Sequence, residues 1–112
     1  MSEHYDEVTL IDILNSTERI TEYTEKHSYE TFLKNNLVMD GVMMHLIIIG
    51  ESINRLSEDF KDKHPDVDWF KIRGLRNRVA HDYKNINYDI AWNVIQNNIP
   101  FLKSYLEKIM NK

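Results

Sequence analysis

Apolar positions recur at intervals of three and four along this chain, and the alternation of a half-buried strand is nearly absent, so the pattern predicts an all-α fold. A first helix is expected from about Thr9 to His27, with Leu10, Ile13, Leu14, Ile20 and Tyr23 tracing a broad apolar stripe. Thr9 followed by Asp12 resembles a capping box at its start. A short helix over Ser28 to Lys34 follows, with Ser28 as its N-cap. A third runs from about Asn36 to Lys61, and His64-Pro65 then breaks the chain, because proline disfavours helical geometry in the residue before it. A fourth starts near Asp68, carries Trp69, Phe70, Ile72, Leu75 and Val79, and should fray around "AHDY". After a turn over Asn85 to Asn87, a fifth covers about Tyr88 to Met110, with Ile95, Ile99, Leu102, Leu106 and Ile109 at heptad-like spacing. Pro100 lies inside it and removes the N–H due to the Gln96 carbonyl, so a kink is expected there. These elements predict an up-and-down bundle of four to five helices in one domain, residues 1–112.

The third helix departs from the amphipathic pattern. Val38, Met39, Val42, Met43, Met44, Leu46, Ile47, Ile48 and Ile49 leave almost no polar side to its first half. A helix that is apolar all round must be covered all round, and a small bundle rarely manages this alone, so a homodimer interface is expected there. Gly41 and Gly50 cost helix stability and predict close approach of neighbouring helices. The longest apolar run, "GVMMHLIIIG", is too short to cross a bilayer and contains a histidine, so it reads as a buried helix.

Composition then narrows the chemistry. The chain has no cysteine, which excludes disulfides, thiolate nucleophiles and Cys-based zinc sites and fits a cytoplasmic location. The start, "MSEHYDE", is acidic and polar, unlike a signal peptide. The net charge of −4 is unevenly distributed, with an acidic front and a basic back that point to a local anionic ligand. The basic half is densest at "RGLRNRVAHDY", where Arg73, Arg76 and Arg78 stand with His81 and Tyr83.

Those residue types suit phosphodiester chemistry without a metal. Arg76 can bridge two phosphate oxygens through its planar fork and stabilise the charge that builds at phosphorus. His81 carries an imidazole, which can take or give a proton. RNA brings its own nucleophile, the 2′-hydroxyl, so Arg and His alone could yield a cyclic phosphate and a 5′-hydroxyl end. Asn77 could orient the histidine or a phosphate, or cap the helix. Tyr83 could hydrogen-bond a phosphate or stack on a base. Five residues turn an ideal helix by about 500°, leaving Arg76 and His81 about 140° apart. They converge only if the helix ends between them or a symmetry mate brings its own pair alongside. Arg73 and Arg78 also read as solvated surface charges or RNA-backbone contacts. Glu51 reads as a buried partner for an arginine, with a direct catalytic role as the alternative, His45 as a hydrogen-bonded core or interface histidine, and His4, His27 and His64 as surface residues. No His, Asp and Glu set has metal-ligand spacing, so no metal and no cofactor are expected.

"RNRVAHDY" matches the Arg-x4-His-x-Tyr motif of the HEPN superfamily at Arg76, His81 and Tyr83. "IIIGESINRLS", "HPDVDWFKIRGLRNRVAHDY" and "YDIAWNVIQNNIPFLK" resemble successive blocks of its HepT-like branch, from about Leu10 to Leu106. The resemblance implies a homodimeric helical bundle with both motif copies at a shared cleft. It implies a toxin ribonuclease of a type II toxin–antitoxin pair, acting on tRNA or mRNA. Arg76 and His81 would then be catalytic, and Arg73, Asn77 and Tyr83 would bind or support. The implied partner is a minimal nucleotidyltransferase (MNT) antitoxin that adenylylates the motif tyrosine, Tyr83 here. The competing class is a non-catalytic interaction subunit that binds a nucleotidyltransferase and uses the motif as a docking surface.

Overall fold

The computed structural model describes residues 2–82 and 85–111. Seven α-helical segments follow in order: α1 Ser2–Thr24, α2 Tyr29–Leu33, α3 Asn36–Arg55, α4 Glu58–Lys63, α5 Trp69–Asp82, α6 Tyr88–Asn93 and α7 Ile99–Ile109. A π-helical turn, Val94–Asn98, joins the last two. The fold is therefore all-helical. Among the described residues it forms six rods rather than the four to five expected, because the third predicted helix is two.

The division falls at Leu56. Its backbone is extended, and Ser57 restarts the chain as the N-cap of α4, its hydroxyl accepting from the Phe60 N–H at 3.1 Å. Asp6 fixes that restart: its carboxylate accepts from the Ser57 N–H at 3.0 Å and from the Ser57 hydroxyl at 2.7 Å. Asp6 belongs to α1, which begins at Ser2 rather than Thr9. Thr9 is a buried residue inside the helix, not its cap. Ser28 does cap α2, with the reciprocal Thr31 contacts of a capping box.

α3 packs chiefly against α1 and α5, and α1 also meets α7. Val42, Met43, Leu46, Ile49 and Ile53 of α3 are buried with Ile13 and Ile20 of α1, Ile72 and Val79 of α5, and Ile99, Leu102 and Leu106 beyond. Both predicted close approaches are present. A Cβ on Gly41 would meet the Tyr23 ring at 3.1 Å, and one on Gly50 would overlap the Cβ and Cγ of Arg76. By length and hydropathy α3 would also suffice to cross a membrane, a test that a core helix passes equally; the ten-residue run is part of a 20-residue helix. Its cover is incomplete all the same, since Leu37 is 85% and Met44 57% exposed.

Pro100 is accommodated by the π turn just before it. The Ile99 N–H reaches back five residues to the Val94 carbonyl, widening the helix ahead of the residue that has no N–H.

Candidate active site

α5 carries the site, and its two ends are held differently. At the start, the Asp68 carboxylate caps the helix by accepting from the Lys71 N–H at 3.0 Å. The Trp69 indole donates to the His64 carbonyl at 3.0 Å and meets the Phe60 ring edge-on. His64, expected at the surface, is partly buried there: it stacks 4.3 Å from Phe60 and its Nδ1 is 2.7 Å from the Tyr105 hydroxyl. At the far end α5 runs through His81 to Asp82, inside the "AHDY" segment around which its end is expected. Asn77 is accordingly not a C-cap.

The continuous helix settles how Arg76 and His81 relate within one chain. They sit on different faces, about 140° apart around the axis and about 7.5 Å apart along it. Ile72, Leu75 and Val79 form the buried stripe, and Arg76 flanks it, its side chain 21% exposed. Arg76 pairs with Glu51 of α3 through Nη2, and its Nη1 donates to the Asn77 side-chain oxygen at 2.8 Å. Its Nε is buried without a hydrogen-bond partner. Gly50 is the seat for this arrangement, because any side chain there would displace the arginine stem. Glu51 does pair with an arginine, as its position suggested, but stays half-exposed rather than buried, at 44%. His81 and Asn77 are exposed on the opposite, solvent-facing side of α5.

Arg76 is thus a held cation. A guanidinium has five N–H groups, and Glu51 and Asn77 take two, so donors remain for a phosphate oxygen. Arg73 is engaged elsewhere: its guanidinium lies 5.6 Å from the centre of the Phe70 ring. Tyr83, expected to support catalysis and accept the modification, lies outside the described residues. Phe70, one of the apolar residues the helix carries, is 75% exposed. The helical spacing contained that outcome, since Phe70 falls about 160° from Ile72, on the face shared by Gly74, Asn77 and His81.

His45 is hydrogen-bonded as expected, with Nδ1 3.1 Å from the Ser16 hydroxyl. Burial, and then the nearby Arg19 charge, pull its pKa below the ordinary histidine value.

Fold and site together define a small all-helical protein that presents a braced arginine and an exposed histidine on one helix. The family described as ribonuclease HepT-like matches residues 13–109, and the chain belongs to it. Its relatives include "Putative RNase MJ1380" of Methanocaldococcus jannaschii, 34% identical over 96% of this chain and 98% of that protein. "Putative RNase TTE0752" of Caldanaerobacter subterraneus is 34% identical over 89% of each chain. "Probable ribonuclease HepT" of Thermococcus cleftensis is 32% identical over 89% of this chain and 91% of that one. No solved structure matches the chain at a comparable level. The family and these names support a ribonuclease.

Proposed function

We propose that this chain is a metal-independent endoribonuclease, working in the cytoplasm as a homodimer and as the toxin of a toxin–antitoxin pair, with tRNA or mRNA as substrate. The observation that carries this is the pairing of Arg76 with Glu51 and Asn77, which presets a guanidinium on the helix that also exposes His81. His81 accepts the 2′-hydroxyl proton, the 2′-oxygen attacks phosphorus, and the bond to the 5′-oxygen breaks. The products are a 2′,3′-cyclic phosphate and, once the leaving oxygen has gained a proton, a 5′-hydroxyl. Arg76 stabilises the charge on the non-bridging oxygens. Because one helix keeps the two groups on different faces, two copies of α5 meeting across a dimer cleft complete the site.

The partner in this reading is an MNT-type nucleotidyltransferase that silences the toxin by transferring AMP from ATP to the Tyr83 hydroxyl, with pyrophosphate as the leaving group. The added phosphate would repel the RNA backbone. Expression of the chain alone should arrest growth, His81→Ala should abolish arrest while staying folded, and co-expression of the partner should add the mass of AMP to the Tyr83 peptide. Toxicity neutralised with that peptide unmodified would mean inhibition by binding.

One observation favours a second reading. Arg76 is mostly buried and clamped, as a purely structural brace between α3 and α5 would be. The chain would then be a non-catalytic subunit that docks a nucleotidyltransferase. Wild type and His81→Ala equally harmless, with neither cutting RNA, would establish that reading.

A further inference from the structure

The exposed ring of Phe70 borders a groove of about 340 Å³ between α5 and α6 that the chemistry above does not use. Leu75, Ile90 and Val94 give it an apolar floor, and Lys71 and Arg78 stand at its edge. Gly74 lies along it, and a Cβ built there meets nothing within 4 Å, so the helix is bare where a flat ligand would lie. We propose that this groove is a subsite for an unpaired nucleobase of the RNA, stacked on Phe70 and lying over Gly74, with Lys71 and Arg78 on the flanking phosphates. The proposal rests on the ribonuclease reading and adds to it how single-stranded substrate is gripped.

Three features support this occupant. Every base offers a π-face to an aromatic ring regardless of sequence. Arg73 already lies over Phe70, so the ring is held from that side while the α6 side borders the groove. Charge selects the same side. The opposite flank of Phe70 gathers Glu58, Asp62, Asp66 and Asp68 against Lys61 and Arg73, whereas the α6 flank sets Lys71 and Arg78 against Asp68 alone. A polyanion is repelled from one flank and drawn to the other. Gly74 is seven residues from His81, about 10 Å along the axis. That places the base near the scissile linkage rather than at a remote surface.

The test is fluorescence anisotropy with a labelled single-stranded 2′-O-methyl oligonucleotide, which lacks the nucleophile and stays intact, and with the same strand in duplex. Phe70→Ala removes the stacking ring. Gly74→Leu fills the groove from a position with open space and favours the helix, so it should fold. Each is expected to weaken single-strand binding about tenfold, with duplex binding and thermal midpoint preserved. Unchanged single-strand affinity in both variants overturns the proposal. So does an equal loss for the duplex, or a wild type that binds no oligonucleotide. Loss of self-association or of nucleotidyltransferase binding, with RNA affinity untouched, also overturns it, because the face would then be a protein interface. Wild type that binds the single strand through Phe70 yet never cleaves RNA leaves this subsite standing while the nuclease reading fails.

Discussion

The proposed chemistry turns on Arg76, whose side chain would then face two demands at once. It braces α5 against α3 through Glu51, and in the proposed ribonuclease it would also have to offer N–H groups to a phosphate. A lysine cannot do both, since its ammonium is a point charge without the planar fork. Arg76→Lys should lower kcat/KM for RNA cleavage about 100-fold while circular dichroism stays helical; a fully active lysine variant would reduce Arg76 to a brace. His45 gives a prediction about pH. Its folded pKa is depressed by burial first and by Arg19 second, so the unfolded chain takes up the proton before the folded one does. Stability from this group is complete above the ordinary histidine pKa of about 6.5. It is lost as pH falls through the lower, folded value. Urea midpoints at pH 7.5 and pH 5 should therefore fall further for wild type than for His45→Gln, and equal falls would contradict the assignment.

At the scale of elements, the contact between α3 and α5 positions the site, and Gly50 makes it possible. Gly50→Ala would ordinarily favour a helix by about 1 kcal/mol. Here the methyl would press on Arg76, so the variant should instead lose about 1–3 kcal/mol in denaturant titration and lose cleavage with it. A more stable, fully active variant would mean that the helices separate freely. This contact was legible beforehand as a glycine inside an apolar helix, next to a glutamate that wanted an arginine. The Ser28 cap, the all-helical pattern and the anomaly at Pro100 were legible for the same reason: each is a local backbone matter. What periodicity missed depended on partners distant in sequence. Ser57 looked like mid-helix until Asp6, 51 residues away, supplied a carboxylate to its N–H. His64 looked superficial until Phe60 and Tyr105 enclosed it. Phe70 is apolar like Ile72, and only its angle on the helix puts it on the opposite face. Of the site, the residue types and the partner for Glu51 could be read from the chain. The split of Arg76 and His81 onto two faces hung on whether α5 continued to Asp82, and no helix-ending residue precedes His81.

For the whole molecule, the unfinished surface is the outer face of α3, where Leu37 and Met44 are exposed in line with the partly buried Ile47 and with Glu51. Four-residue and three-residue steps carry this stripe directly to the carboxylate that holds Arg76. A second copy seated there would bring its own α5 near the first. Met44→Glu should accordingly reduce the mass seen by light scattering to that of a monomer and reduce cleavage in proportion, whereas a wild-type monomer at micromolar concentration would leave this face unexplained. In the proposed mechanism Arg76, His81 and the RNA's own 2′-hydroxyl together suffice to break the RNA chain. That sufficiency is tested most directly by incubating the purified protein with total RNA in excess EDTA and determining the product ends. The expected products carry 2′,3′-cyclic phosphate and 5′-hydroxyl ends and vanish with His81→Ala. Products bearing 5′-phosphates, or cleavage that stops with the chelator, would contradict it.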